Sequence, residues 1–414
     1  MFLENINEDE LIDLENTIYE IIYYELNDNM LLYNNKKFYD LLTFTISDFY
    51  FELWKEAELC EDEDKEDIEK FIWNIVWNFF NIYEEFPRRE YCILNIVPNN
   101  ESIANQLEVI SNTFQPKQRT MEWYEYRHEL LTASNIWKVF SSEANRNSLI
   151  YEKCKPFDPL YSNKIKSNSI VWGNIFEPLS IQIYENKFST KIEDFGCIQH
   201  QKYKYIGASP DGINIDPNSN RFGRMLEVKN IYNREINGIP KDEYWIQMQL
   251  QLETCNLELC DFLETRFIEF KEIEEFYESK EEYKGLILYF IKNNDTVYKY
   301  FPLTNKINKE TIEKWKKETI EEMNDHVLIK ENYWYLDEFS CVVVKRNEKW
   351  FEEAKLKILE LWEIIIKEKK EGYEHRAAKK RIKPTEVFVS NSEEKHVIHN
   401  LEFNNSINLI KLQE

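Results

Sequence analysis

Between Ile206 and Asn230 the chain reads IGASPDGINIDPNSNRFGRMLEVKN, and Asp211, Glu227 and Lys229 are the residues there whose types and spacing can do chemistry. Side chains two apart on a strand share a face. Glu227 and Lys229 are therefore expected side by side, with Leu226 and Val228 turned the other way into a core. Asp211 falls in a Ser-Pro-Asp-Gly turn, just after a strand ending at Ile206–Ala208. If the two strands pair as neighbours, Asp211 meets Glu227. Converging carboxylates hold a hard divalent cation such as Mg²⁺, which offsets their mutual repulsion. A lysine beside that ion can orient or help deprotonate a water, and a metal-bound water near a phosphate is the core of phosphodiester hydrolysis. Alone, Glu-x-Lys reads as a surface salt bridge and Ser-Pro-Asp-Gly as an ordinary turn. The combination carries the reading: strand, Asp, short loop, apolar strand bearing Glu-x-Lys, then a helix carrying Gln247.

The elements that must position these residues are legible in the periodicity. Helical spacing runs through IVWGNIFEPLSIQIYENKF (Ile170–Phe188) and DEYWIQMQLQLETCNL (Asp242–Leu257), the second with acids in its first turn, where the helix dipole favours them. KYKYIGAS, GRMLEVKN, FLETRFIEF and FSCVVVKRN (Phe339–Asn347) alternate as strands, and KWFEEAKLKILELWEIIIKEKK is a long amphipathic helix. EWYEYRHELLTASNIWKVF predicts a helix, a break at Thr132–Ser134, and a second helix capped by Thr132 or Ser134. Residues 271–338 read as an insertion: an acidic helix, a strand pair around KNND and a polar helix. Residues 1–113 read as helical and acidic, and FQPKQRT at 114–120 marks a boundary. The region carrying the motif then spans 114–372, followed by a tail (373–414) that is basic, then Asn-rich.

Composition narrows the class. The chain has 414 residues, 43% of them hydrophobic, enough for a large core. The N-terminus, MFLENINEDE, carries acids where a signal peptide needs basic residues. Phe71–Tyr83, the most apolar segment, is too short to span a bilayer. An intracellular protein without membrane contact is expected, in cytoplasm (a viral factory) or nucleus. Seven cysteines without a C-x-x-C pair argue against a zinc ribbon or an iron–sulfur cluster. His396 and His399 read as exposed tail residues. The net charge of −24 counts against a nucleic-acid partner until it is mapped along the chain. Residues 1–110 hold 7 Lys/Arg against 26 Asp/Glu, whereas residues 111–250 hold 18 against 16. The segment with the motif is nearly neutral. The acidic region suits protein contact better than DNA contact. The HRAAKKRIKP cluster reads as a solvated tail, a DNA grip or a nuclear-import signal.

WGNIFE, ASPDG, LEVKN and YWIQMQ, in that order and at those separations, resemble the lambda-type phage exonuclease and YqaJ-like viral recombinase family of PD-(D/E)xK nucleases. The resemblance runs from about residue 117 to 370. It implies an α/β (α+β), restriction-endonuclease-like core with a mixed central sheet flanked by helices, beside the N-terminal helical region. It implies Asp211 and Glu227 as principal metal ligands, joined by the Val228 carbonyl, with Glu177 completing the cluster. Lys229 would activate water and stabilise developing charge, and Gln247 would position Lys229 or the water, with Gln249 and Gln251 as alternates. Arg127, Ser134 and Ser209 match positions that hold a 5′-terminal phosphate. Glu129 stands where a Gly is common, and Asn230 where Cys-Pro often follows. The implied activity is a Mg²⁺-dependent DNase, with Mn²⁺ able to substitute, acting 5′→3′ on double-stranded DNA ends. A strand-annealing protein and a trimeric ring are the implied partners. The rivals are an endonuclease on the same fold and a degenerate core acting as a DNA-binding scaffold.

Overall fold

A computed structural model describes residues 7–35, 37–83, 100–158, 168–293 and 295–378. The chain begins with α1 (Glu8–Asp28), opened by a capping box in which Asn7 and Glu10 exchange side chain-to-backbone bonds. Then come α2 (Phe38–Glu56), α3 (Lys65–Ile82) and α4 (Asn100–Asn112). Each of the first three buries a stripe at three- and four-residue spacing, as in Ile68, Ile72, Ile75 and Phe79 of α3.

Next are α5 (Met121–His128), β1 (Leu131–Thr132), α6 (Ala133–Ile136), α7 (Glu143–Cys154) and α8 (Asn168–Phe188). The strands β2 (Ile192–Glu193), β3 (Ile198–Gln199), β4 (Ile206–Ala208), β5 (Gly212–Asn214) and β6 (Met225–Asn230) follow. The chain continues through α9 (Asp242–Cys255), β7 (Leu259–Glu269), α10 (Ile273–Glu278), β8 (Lys284–Lys292), β9 (Asp295–Tyr300) and α11 (Lys309–Glu322). It closes with β10 (Val327–Lys345) and α12 (Glu348–Glu371).

Seven strands form a mixed sheet in the order β2-β5-β6-β7-β10-β8-β9, and β1-β4-β3 form a smaller one. Only β6 and β7 run parallel in the large sheet, and α9 is the crossover between them. The architecture is the expected α+β class: a mixed central sheet flanked by helices, with an N-terminal helical region.

Two details differ from the sequence reading. β4 and β6 are not neighbours. β4 pairs with β1 and β3, whereas β6 lies between β5 and β7, with Gly212 of β5 opposite Leu226. The Pro210–Asp211–Gly212 turn is thus a switch between sheets, not the end of a hairpin. The strand expected at Phe339–Asn347 begins at Val327 and runs to Lys345 with two irregularities, between Leu328 and Lys330 and between Leu336 and Glu338. Its first half pairs with β8 and its second with β7, so the insertion is stitched into the main sheet by a single strand.

The insertion has its own core around Phe276, Leu286, Leu288, Phe290, Phe301 and Ile312. The N-terminal helices do not. Tyr33, in the short 3₁₀ turn after α1, is fully buried with its ring 5.9 Å from that of Trp245 on α9, and the same cluster takes in Trp350 and Ile358 of α12. The boundary near residue 114 therefore separates sequence character, not cores. His396, His399 and Lys379–Pro384 of the basic cluster lie outside the described residues. His375 and Arg376 are described, and both turn to Glu368 at the end of α12.

Candidate active site

The site is built where β5, β6, α8 and α9 meet. β6 is buried along most of its length, and its pleat turns Glu227 and Lys229 to one face, as the spacing requires. Glu227 is fully buried. One of its oxygens accepts from Lys229 Nζ, and the other accepts from Gln251 Nε2 at 2.7 Å. Asp211, at the head of β5, accepts from the Val228 backbone N–H at 2.7 Å. This short bond closes the gap that the absent β4–β6 pairing leaves.

Glu177 lies on α8 and accepts from Arg119 Nη2 at 2.7 Å. A network behind it fixes α8 to β6. Ser180 Oγ donates to Asn230 Oδ1 at 2.7 Å, Thr265 Oγ1 donates to the same atom at 2.8 Å, and Asn230 Nδ2 donates to the Gly173 carbonyl at 3.2 Å. Asn230, the departure from the family pattern, thereby ties the strand bearing Lys229 to the helix bearing Glu177.

The electrostatics show how close these groups stand. Burial raises Asp211 well above the usual carboxylate value, and the charges of Glu227 and Glu177 push it further. Burial also raises Glu177, against the pull of Arg119 and Lys229. Burial opposes the charge on Lys229, yet Glu227 and Asp211 hold its ammonium above the usual lysine value. Among the described residues no three acids, histidines or cysteines form a ready-made cation cage. Each acid is instead engaged by a donor of the chain. The residues still fit a hard divalent cation: the ligands are all oxygens, and the acids repel one another in a buried setting that a cation relieves.

The Gln247 side chain forms no hydrogen bond among the described residues. Gln251, one turn later on the same face of α9, is the glutamine that reaches Glu227. Its Oε1 is buried without a partner. Gln249 is structural: it donates to the Lys345 carbonyl and accepts from Asn347 N.

Three positioning groups escaped the sequence reading. Arg119 and Gln118 lie in the FQPKQRT breaker, which runs as a stitch along the site. Gln118 Nε2 donates to Asp194, to the Phe195 carbonyl and to the Pro210 carbonyl, bracing the turn that carries Asp211. Only glycine fits at Gly196, because a Cβ there would stand 2.2 Å from the Pro116 carbonyl oxygen of the stitch. The third is Glu264 on β7, in register with Lys229. It is buried, pairs with Arg234, and leaves its Oε2 without a partner. Its register with Lys229 was the available signal, but it needed the β6–β7 pairing to be known.

A second cluster sits one turn away. Arg127, near the end of α5, donates to Ser134 Oγ at 2.9 Å and to Ser209 Oγ at 3.1 Å, with its guanidinium 4.1 Å from the centre of the Trp123 ring. Trp123 Nε1 also reaches Ser209 Oγ, at 3.3 Å. The three residues proposed for phosphate are thus together, and Ser209 lies two residues before Asp211. Ser134 is not a helix cap: its hydroxyl is committed to Arg127. Glu129 turns away to Lys369 of α12 at 3.1 Å.

Comparison with known proteins follows the motifs. Residues 122–258 match the model of the YqaJ-like viral recombinase domain family, so the resemblance read from the sequence holds over that span. The uncharacterized protein R354 of Acanthamoeba polyphaga mimivirus is 27% identical over 327 residues, covering 68% of this chain. The match spans 58% of that relative's own length. Among solved structures, the alkaline exonuclease of Laribacter hongkongensis is similar at 17% identity and a TM-score of 0.38, over 61% of this chain and 95% of its own. A phage-related exonuclease from Haemophilus somnus 129PT is similar at 14% identity and a TM-score of 0.33, over 58% of this chain and 96% of its own.

Proposed function

We propose that this chain is a divalent-metal-dependent deoxyribonuclease that degrades linear double-stranded DNA from a 5′-phosphorylated end, in the 5′→3′ direction. The observation that carries the reading is the turn Ser209–Pro210–Asp211. One end of it belongs to a cationic pocket built by Arg127 and Ser134, and the other to the acid cluster. A terminal phosphate held at Arg127 places the first phosphodiester bonds beside Asp211, Glu227 and Lys229.

Asp211, Glu227, Glu177 and the Val228 carbonyl are the residues that would hold Mg²⁺, or Mn²⁺ in its place. When bound, such an ion lowers the pKa of its water and neutralises charge on the phosphate. Lys229, kept charged by Glu227 and Asp211, orients the attacking water and stabilises negative charge as it develops. Gln251 fixes the Glu227 carboxylate through one oxygen, leaving Lys229 the other. Arg127 binds the terminal phosphate through its forked donors, which suit a phosphate better than a point charge would. The product is a 3′ single strand, fit for an annealing protein in the recombination or replication of a large DNA virus. A ring of three copies around DNA is the assembly proposed with it.

The test incubates the protein with Mg²⁺ and linear duplexes carrying a 5′-phosphate or a 5′-hydroxyl, beside a closed circle, with Lys229→Ala as control. Loss from phosphorylated 5′ ends, with the circle spared and the variant inactive, is expected. Cutting of the circle would replace this reading with an endonuclease. No cutting with any divalent metal would leave a binding scaffold.

A further inference from the structure

Among the described residues Lys153 is the most deeply buried lysine. It lies on α7, and only 3% of its surface is exposed. Its ammonium meets no carboxylate among the described residues. Nζ donates instead to the Arg127 carbonyl at 2.8 Å and to the His128 carbonyl at 3.3 Å, the last two carbonyls of α5. The nearby Glu152 is engaged elsewhere, with Lys138 at 3.5 Å. Arg127 is in the same condition: its guanidinium is bonded only to two hydroxyls and stacked on an indole.

Two buried cations therefore bear on the last turn of α5, Arg127 as part of it and Lys153 through its carbonyls, and both rest on neutral acceptors. A buried charge without a counter-ion costs several kcal/mol. Capping two helix carbonyls does not require that cost, since a neutral amide or hydroxyl donor serves the same bonds. What a lysine adds is charge. A terminal phosphate monoester carries close to two negative charges near neutral pH, with its second pKa near 6, whereas each internal diester carries one. Burial disfavours the charge on Lys153 and lowers its pKa to about 8, so the ammonium is retained at neutral pH.

We propose that Lys153 is a positioning and specificity residue of the end pocket. It locks the last turn of α5 so that Arg127 stands between Ser134 and Ser209, and it brings the pocket to two positive charges, matched to a terminal phosphate dianion and not to an internal phosphodiester. This inference rests on the end-binding reading given above.

The test measures, in EDTA, the binding of 5′-phosphorylated and 5′-hydroxyl duplexes by fluorescence anisotropy. The proteins are full-length wild type, Lys153→Met, Lys153→Arg and Lys153→Gln, with a melting curve for each. Wild type is expected to prefer the phosphorylated end. Lys153→Met lowers that preference about tenfold, the equivalent of ~1.4 kcal/mol, and Lys153→Arg restores most of it. Lys153→Gln separates the two roles, because its amide can still donate to the α5 carbonyls without charge. A folded Lys153→Gln that has lost the preference supports the proposal and covers the case in which Lys153→Met does not fold. A Lys153→Gln that keeps the wild-type preference overturns it and reduces Lys153 to a helix cap. If wild type binds both ends equally, the end-pocket reading falls too; if wild type discriminates and the variants follow it, only this inference falls.

Discussion

The two clusters flanking Ser209–Asp211 are built on opposite electrostatic plans. At the acid end, every carboxylate is already engaged: Asp211 by the Val228 amide, Glu227 by Lys229 and Gln251, Glu177 by Arg119. At the pocket end, neither Arg127 nor Lys153 meets a carboxylate among the described residues. Over two residues of backbone the excess charge changes sign. The acid end has internal donors to hold its geometry before any ion arrives. Among the described residues the pocket offers its two cations only neutral acceptors, a charge that the proposed phosphate would balance. On the function proposed above, a DNA terminus would bring an anion to one end while a cation would complete the other.

The largest break in this comparison comes from the acid end. Lys229→Ala and Asp211→Asn are each expected to lower the cutting rate about 10³-fold while leaving the preference for a phosphorylated end in binding. Loss of that preference as well would show that the two clusters do not act separately. Next, Gln251→Ala is expected to lower activity about 10- to 100-fold, as for residues that orient a ligand, and Gln247→Ala by less. The reverse order, measured in single-turnover assays, would return the role to Gln247.

At the pocket end, Arg127→Lys keeps the charge and loses the fork, so the preference should fall about tenfold with little change in the cutting of already engaged DNA. The pH dependence sharpens the same contrast. Lys153 is lowered by burial, with Glu152, Cys197 and Glu129 supporting its charge and Arg127 opposing it. End preference should weaken as pH rises through about 8. Stability moves the other way. The unfolded chain holds that proton up to the ordinary lysine value, so above pH 8 it binds more protons than the folded chain, and this residue's contribution to stability rises. Urea titrations at pH 7 and 9.5, with Lys153→Met as reference, check the sign. The smallest effect expected is for Asn230→Ala, about 1–2 kcal/mol of stability, with lowered cutting and an unchanged end preference, because Asn230 braces the strand bearing Lys229 and the helix bearing Glu177 and touches neither Arg127 nor Lys153.

The sequence carried some of this and not the rest, for physical reasons. The period-two pattern of LEVK placed Glu227 and Lys229 on one face, and helical spacing around Glu177 gave α8 nearly to its ends. Which glutamine of α9 faces the acids was not legible, since Gln247 and Gln251 share a helix face and only packing decides which one reaches Glu227. Asp211 was found for a partly mistaken reason: the strand before it joins the small sheet, and it is the Val228 amide that brings it to Glu227. Arg119 and Gln118 were hidden because Pro and Gln mark a break in periodicity without saying what the broken segment touches. Lys153 reads as one more helix lysine until α5 is laid against it.

The burial of Tyr33 against Trp245 bears on how the chain is made. The N-terminal helices are made before α9 and α12, yet the turn after α1 that carries Tyr33 is covered by residues of those helices that lie more than two hundred positions later. At ordinary rates of synthesis that interval is on the order of tens of seconds. Through it, α1 to α3 can pack on one another, but Tyr33 must wait for Trp245, and contacts of such long sequence separation form slowly once they can form.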